Sequence, residues 1–263
     1  MTDPERAARI QAVADVVHHH DPSQLWFQLA EIAGEQTYLR HGVRLGPGDV
    51  VLDVGANVGV AAAFFITHCG VRAVHSFEPV GPICAMLRES VGRLPACRVH
   101  EKGMGAEPGW AEMTYYRGAA AMSGMYADPE RDRALVRTVL VNRGVSRDEA
   151  DQRLACQFEP VRLRCELTTV SDFLAQEDIA RVDLLKVDVE RAELEVLAGI
   201  ADDDWGRIRQ VAVEVHDDAE PRASRLAREL AQRGFETAVD EDAVMAGTGV
   251  KMVYAVRTGA HGP

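Results

Sequence analysis

The feature that most constrains the fold is an apolar run that breaks into glycines immediately ahead of an apolar helix, Val50-Val51-Leu52-Asp53-Val54-Gly55-Ala56-Asn57-Val58-Gly59. Residues 50–54 have the β-branched density of a strand buried on both faces, and residues 58–65, rich in Ala and Phe, continue as a helix. Gly55 and Gly59 lack the Cβ atoms that would block a tight turn and the close approach of a ligand, while the helix start offers unpaired N–H groups. An ordinary strand-to-helix turn with packing glycines would carry the same residues, so the segments downstream decide its meaning.

A second apolar strand, residues 71–77, ends at Glu78-Pro79. An acid roughly 20 positions beyond a glycine turn sits at the tip of the neighbouring strand and accepts hydrogen bonds from ribose hydroxyls. Glu78 fits that position. The turn lacks the G-x-G-x-x-G spacing on which a pyrophosphate rests, and no G-x-x-x-x-G-K-[ST] phosphate loop occurs. An adenosyl group without phosphates is the ligand class that remains.

The chain has 263 residues and a formal net charge of −12, enough for one catalytic domain and contrary to a protein whose affinity depends on neutralising phosphates. A nucleic-acid partner is not expected. The five cysteines, Cys69, Cys84, Cys97, Cys156 and Cys165, form no C-x-x-C pair and read as reduced residues. The charged opening Met1-Thr2-Asp3-Pro4-Glu5-Arg6 does not resemble a secretory signal, and no apolar run reaches membrane-spanning length. A cytoplasmic protein with no membrane partner is expected.

Two helical patterns, residues 3–18 and 22–38, precede the first strand and set off an N-terminal helical segment, residues 1–44, from a domain spanning 45–263. The run His18-His19-His20 reads as a solvated helix end. After Glu78 the order is a helix over 82–92, a strand over 97–102, Gly103-Met104-Gly105, and an added strand over 110–116. Strand, helix, strand implies parallel pairing. An insertion over about 117–157 then breaks the alternation. It contains a helix opened by Asp128-Pro129 and another by the capping box Ser146-Arg147-Asp148-Glu149. It reads as a cap over the ligand cleft or as a dimerisation element of a homo-oligomer.

The core is expected to resume at Val161, Leu163 and Cys165, with a helix near 171–175. Residues 182–190, Val-Asp-Leu-Leu-Lys-Val-Asp-Val-Glu, follow as a buried strand with Lys186, Asp188 and Glu190 at its end, then a helix over 190–198 with Gly199 as its C-cap. A strand over 210–215 ends in His216-Asp217-Asp218, a helix over 221–234 follows, and residues 235–240 and 251–256 then form a closing hairpin. Ligands of such folds bind at the carboxyl ends of the parallel strands, which brings these side chains to the same edge as Gly55 and Glu78.

These residues resemble the FkbM-type methyltransferases, which use S-adenosylmethionine. The resemblance rests on Asp53 to Gly59, Phe77-Glu78-Pro79, Leu184 to Glu190, Ala192 to Gly199, and Val213-Glu214-Val215-His216, and covers roughly residues 38–257. It implies an α/β, doubly wound, mostly parallel seven-stranded Rossmann-like sheet with an antiparallel last strand. It also implies O-methylation of a hydroxyl on a small natural product such as a polyketide or macrolide. Tyr38-Leu39-Arg40-His41-Gly42 looks most like members from antibiotic biosynthesis. One departure stands out: many members have Gly after the acid matched by Glu190, where this chain has Arg191.

On that reading Gly55, Ala56 and Asn57 line the methionine part of the cofactor, Glu78 its ribose, and Gly103 and Met104 its adenine. Tyr38, Asp53, Pro79, Asp188 and Glu190 complete the cofactor set. Methyl transfer from a sulfonium needs alignment and the management of one proton. His216 is a candidate base because imidazole titrates near neutrality. Asp188 is another, Lys186 could orient the acceptor oxygen or pair with Glu190, and His41 is a further candidate from the Tyr-Leu-Arg-His-Gly match. An Mg²⁺ site from Asp188 with Glu214 or Asp217 is the less favoured alternative. A nicotinamide oxidoreductase and a non-catalytic cofactor-binding module are the competing functions.

Overall fold

The computed structural model describes residues 4–18, 22–217 and 220–259. Its centre is a seven-stranded sheet built from β1 (Val50–Val54), β2 (Ala73–Phe77), β3 (Cys97–His100), β7 (Leu184–Val187), β8 (Gln210–His216), β9 (Phe235–Asp240) and β10 (Val250–Arg257), in the order β3-β2-β1-β7-β8-β10-β9. The first five of that order pair in parallel, and β10 runs antiparallel to both β8 and β9. The order reverses at β1, flanked by β2 and β7, and the crevice outside the carboxyl ends at this point is where such sheets take ligands.

Alternate residues of the strands feed two cores, which explains why β1 is buried throughout. Val51 joins a core formed with α1 (Pro4–Ala14), the segment after α2 (Pro22–Gln28), α3 (Val60–Phe64) and α4 (Gly81–Val91). Leu52 and Val54 join the opposite core. That core is closed by α7 (Val170–Gln176), α8 (Glu193–Ala198) and α9 (Arg222–Gln232), the last burying Ala223, Leu226, Ala227 and Leu230 at helical spacing. The N-terminal helices therefore share the main core: Val13, Leu29, Ile32 and Ala33 pack with Phe64 and Phe65. Among the described residues no helix is long and apolar enough to cross a membrane.

Three expectations need correction. Residues 161–165 do not return the chain to the main sheet. They belong to β6 (Pro160–Thr168), which pairs antiparallel with β5 (Gly109–Tyr116) and parallel with β4 (Gly103–Met104) in a separate three-stranded sheet. The insertion, with α5 (Pro129–Asn142) and α6 (Arg147–Leu154), thus connects two strands of that outlying sheet. The helix expected over 22–38 is three pieces: α2, a π-helical stretch Leu29–Gly34 and a 3-10 turn Thr37–Leu39. Finally, α8 begins at Glu193 rather than at Glu190, because Glu190 and Arg191 have φ of 53° and 75° and form a left-handed turn. Of the histidine run, His18 lies beside Arg93, while His19 and His20 lie outside the described residues, as does Asp218.

Candidate active site

A cavity of about 610 Å³ opens at the carboxyl ends of β1, β2, β7 and β8. Its floor begins with the glycine turn. Gly55 and Ala56 donate their N–H groups to Phe77 O, which locks the turn to the end of β2. Gly55 has φ of 79°, and a Cβ on it would collide with the Asp188 carbonyl. Gly59 has φ of 94°, and its Cβ would meet Leu87 at 2.9 Å. What comes close to these glycines is therefore the β7 loop and α4, so they let the strand ends crowd together as well as leaving room for a ligand.

Glu78 stands at the tip of β2 and lines the cavity. Its Oε2 accepts the Asn57 N–H at 3.1 Å and its Oε1 the Val80 N–H at 2.9 Å. Burial pushes its carboxyl up to about 7, against the pull of those two donors. Gly55, Ala56, Asn57, Pro79, Gly103 and Met104 line the same space. Tyr38, carried by the 3-10 turn, donates its hydroxyl to Asp188 Oδ2 at 2.7 Å, and burial raises its phenol well above the ordinary value.

Asp53 departs from the cofactor role expected of it. It is fully buried within β1, outside the cavity wall, with Lys186 Nζ 3.0 Å from its Oδ1. Lys186 does not pair with Glu190: besides Asp53 it donates to the Gly55 carbonyl at 2.6 Å and lies 3.7 Å from Asp188. Burial pulls the Lys186 ammonium down, but Asp53 and Asp188 more than offset this and hold it charged. It braces the glycine turn from below, a positioning role.

His216 also departs from expectation. Its Nδ1 meets Glu193 Oε1 at 2.8 Å and its Nε2 faces Glu190 Oε2 at 3.3 Å. Burial opposes charge on the ring, but the two carboxylates raise its pKa well above the ordinary value, and both ring nitrogens are committed to them. His41 lies outside the cavity wall, at the surface, on Asp240 Oδ2 at 3.0 Å and against the Tyr254 ring. Asp217 is turned away as well, paired with Lys251 at 2.9 Å and accepting the Ala223 N–H at 2.7 Å. On the cavity wall the acids that converge with His216 are Glu190 and Glu214.

Other wall residues escaped sequence reading. Glu31 reaches the cavity from the π-helical stretch, its carboxyl pushed up to about 7 by burial and by Asp188. Above the acids, Met122, Leu135, Val136, Val139 and Leu140 of the insertion form an apolar roof. The roof is fastened to the β7 loop: Arg191 Nη1 pairs with Asp132 Oδ1 of α5 at 2.7 Å, both side chains being buried. The Tyr116 hydroxyl and the Asp128 N–H donate to the other oxygen of Asp132. The only sequence sign of this bridge was the exchange of Gly for Arg191.

Residues 53–237 match the family described as the methyltransferase FkbM domain. The chain is 39% identical over 262 residues to the 31-O-demethyl-FK506 methyltransferase FkbM of Streptomyces tacrolimicus, covering 98% of this chain and 99% of that protein. It is 35% identical over 243 residues to the AMB antimetabolite synthetase AmbE of Pseudomonas aeruginosa, 87% of this chain but 11% of that larger protein. The crystal structure of a methyltransferase FkbM from Methylobacillus flagellatus KT superposes with a TM-score of 0.55 at 14% identity, covering 95% of this chain and 58% of that one, a likeness of fold. The oxidoreductase and non-catalytic alternatives give way. A cleft at the reversal of a seven-stranded sheet and a full-length match agree: the chain belongs to the FkbM methyltransferase family, enzymes that transfer a methyl group from S-adenosylmethionine.

Proposed function

We propose that the protein O-methylates a hydroxyl of a bulky, largely apolar natural product of the polyketide or macrolide kind, in the cytoplasm. The observation that carries this reading is the continuity of one cavity from the glycine turn, Glu78 and Met104 to the apolar roof of the insertion. Cofactor and acceptor would then share a single chamber. The relative from Streptomyces, whose name specifies 31-O-demethyl-FK506, supports an O-methyl acceptor of that kind.

Gly55, Ala56 and Asn57 would hold the methionine part of the cofactor, Glu78 the ribose, and Pro79, Gly103 and Met104 the adenine. The residues fit: Glu78 spends one hydrogen bond per oxygen on backbone N–H groups and each oxygen keeps a second acceptor site. When bound, the cofactor supplies a methyl group already activated on sulfonium. The chain's own task is therefore alignment, worth up to about 7–11 kcal/mol of barrier. Tyr38 and Lys186 fix Asp188 at the edge of the cofactor pocket. Glu190, Glu214 and His216 form the polar end of the chamber, where the acceptor hydroxyl and its proton would be handled.

The test is incubation with methyl-labelled S-adenosylmethionine and a panel of hydroxylated macrolides, peptides and glycosides, alongside calorimetry with the cofactor. Label in an ether-linked methyl of an apolar acceptor is the expected result. Label in no product, with no cofactor binding, sinks the reading.

A further inference from the structure

Glu190, Glu214 and His216 lie at the ends of the adjacent strands β7 and β8, on the cavity wall, and one side-chain donor atom from each falls within 4.8 Å of the other two. The separation of His216 Nε2 from Glu190 Oε2, 3.3 Å, is close to the ~3.4 Å expected between two donors ~2.1 Å from a tetrahedral ion. Two further observations set this group apart from a chance gathering of acids. Glu190 is buried, yet apart from its ion pair with His216 its Oε2 has no hydrogen-bond partner among the described residues. The far nitrogen of the imidazole is also already committed. Nδ1 is 2.8 Å from Glu193 Oε1, and that oxygen in turn accepts the Arg191 N–H at 2.8 Å. A carboxylate behind the imidazole is the arrangement that fixes the tautomer and orientation of metal-ligating histidines.

The backbone and the neighbouring cations point the same way. The left-handed turn at Glu190 and Arg191 interrupts the chain before α8 and leaves Glu190 on the cavity wall opposite His216. The flanking cations are engaged elsewhere, Lys186 with Asp53 and Asp188, Arg191 with Asp132. Glu190 is thus left to the imidazole, and Glu214 has no ion pair with a cation among the described residues. A cation entering the group would gain the full donor set.

We propose that Glu190, Glu214 and His216 bind a divalent transition-metal ion at the polar end of the cleft, with Glu193 as the outer support of His216. One imidazole nitrogen and two carboxylate oxygens suit Mn²⁺, Co²⁺, Fe²⁺ or Zn²⁺ better than Ca²⁺. The coordination positions left over face the chamber. An ion there lowers the pKa of a hydroxyl that reaches it, so its role in the reaction rests on the methyl-transfer reading, while the site itself does not.

The experiment uses the full chain stripped with a chelator, without cofactor or acceptor. Mn²⁺ is titrated by calorimetry and by loss of the free-ion paramagnetic signal, and Co²⁺ by its visible absorption. One saturable equivalent is expected, removed by Glu214→Gln and by His216→Asn, and weakened by about 10–100-fold in Glu193→Gln. Unfolding midpoints of each variant separate loss of the site from loss of the fold, and Glu214→Gln, which removes no hydrogen bond among the described residues, carries the decision. Wild-type protein that binds neither ion saturably, or a folded Glu214→Gln protein that binds as tightly as wild type, overturns the proposal. Cofactor calorimetry on the same stripped protein reads the methyltransferase reading separately: cofactor binding without metal binding removes the metal site alone.

Discussion

Glu78 carries a conflict that makes it testable. Its two oxygens are held by the Asn57 and Val80 N–H groups, yet burial lifts its carboxyl to about 7. The folded apo protein therefore binds a proton that the unfolded chain releases above about 4.5. The stability this confers is full below that value and is lost as pH rises through 7. Ribose hydroxyls donate to the ionised form. Affinity for S-adenosylmethionine is thus expected to fall as pH drops below 7, approaching about tenfold per unit. Glu78→Gln should bind weakly at every pH and show no such slope. Calorimetry between pH 5.5 and about 8 decides it, and a wild-type affinity that is flat across that range counts against the assignment.

The Glu78 position was legible because spacing from a glycine turn is a local property of the chain. Asp53 was not, although it stands in the same motif. Whether a strand carboxylate faces a ligand or a buried lysine depends on the side of the sheet it occupies and on Lys186 of the adjacent strand, and no local pattern reports either. The setting of His216 was hidden for the same reason: its two carboxylate partners come from the loop after β7 and the start of α8.

At the level of elements, the coupling of α5 to the β7 loop governs the roof. Asp132 is fully buried against Arg191, with the Tyr116 hydroxyl on its other oxygen. Asp132→Ala leaves the Arg191 charge buried without its partner, which costs about 3–5 kcal/mol. The loss should appear as a lower denaturation midpoint. Because α5 supplies Leu135, Val136, Val139 and Leu140 to the cavity, KM for an apolar acceptor should rise more than kcat falls. If stability and KM both match wild type, the bridge does not hold the roof. Helix starts in this region were readable from their caps, since Asp128 and Ser146 accept the N–H groups of their own first turns. The outlying sheet was not, because β5 and β6 read as alternating strands whatever partner they take.

For the molecule as a whole, the N-terminal helices are part of the core as well as of the cleft. Val13, Leu29, Ile32 and Ala33 pack with Phe64 and Phe65, Glu31 and Tyr38 line the cavity, and the Tyr254 hydroxyl donates to Thr37 O at 2.7 Å. Each large apolar side chain removed takes about 1.5–3 kcal/mol of burial with it, against a total stability of about 5–15 kcal/mol. Deleting residues 1–35 should therefore yield aggregated or unfolded chain by size-exclusion chromatography and circular dichroism. A soluble, cooperatively folded product would show residues 36–263 to be an independent domain.

The sequence by itself determined the doubly wound sheet, the glycine turn and the acid beyond it. These follow from hydrophobic period, turn chemistry and fixed spacing, all of which act over a few residues. Only the tertiary structure decided which acids meet which cations. Lys186 turns to Asp53, Arg191 to Asp132, and His216 lies between Glu190 and Glu193. Such pairings join residues far apart in the chain, and in a low-dielectric interior each charge is settled by its neighbours in space.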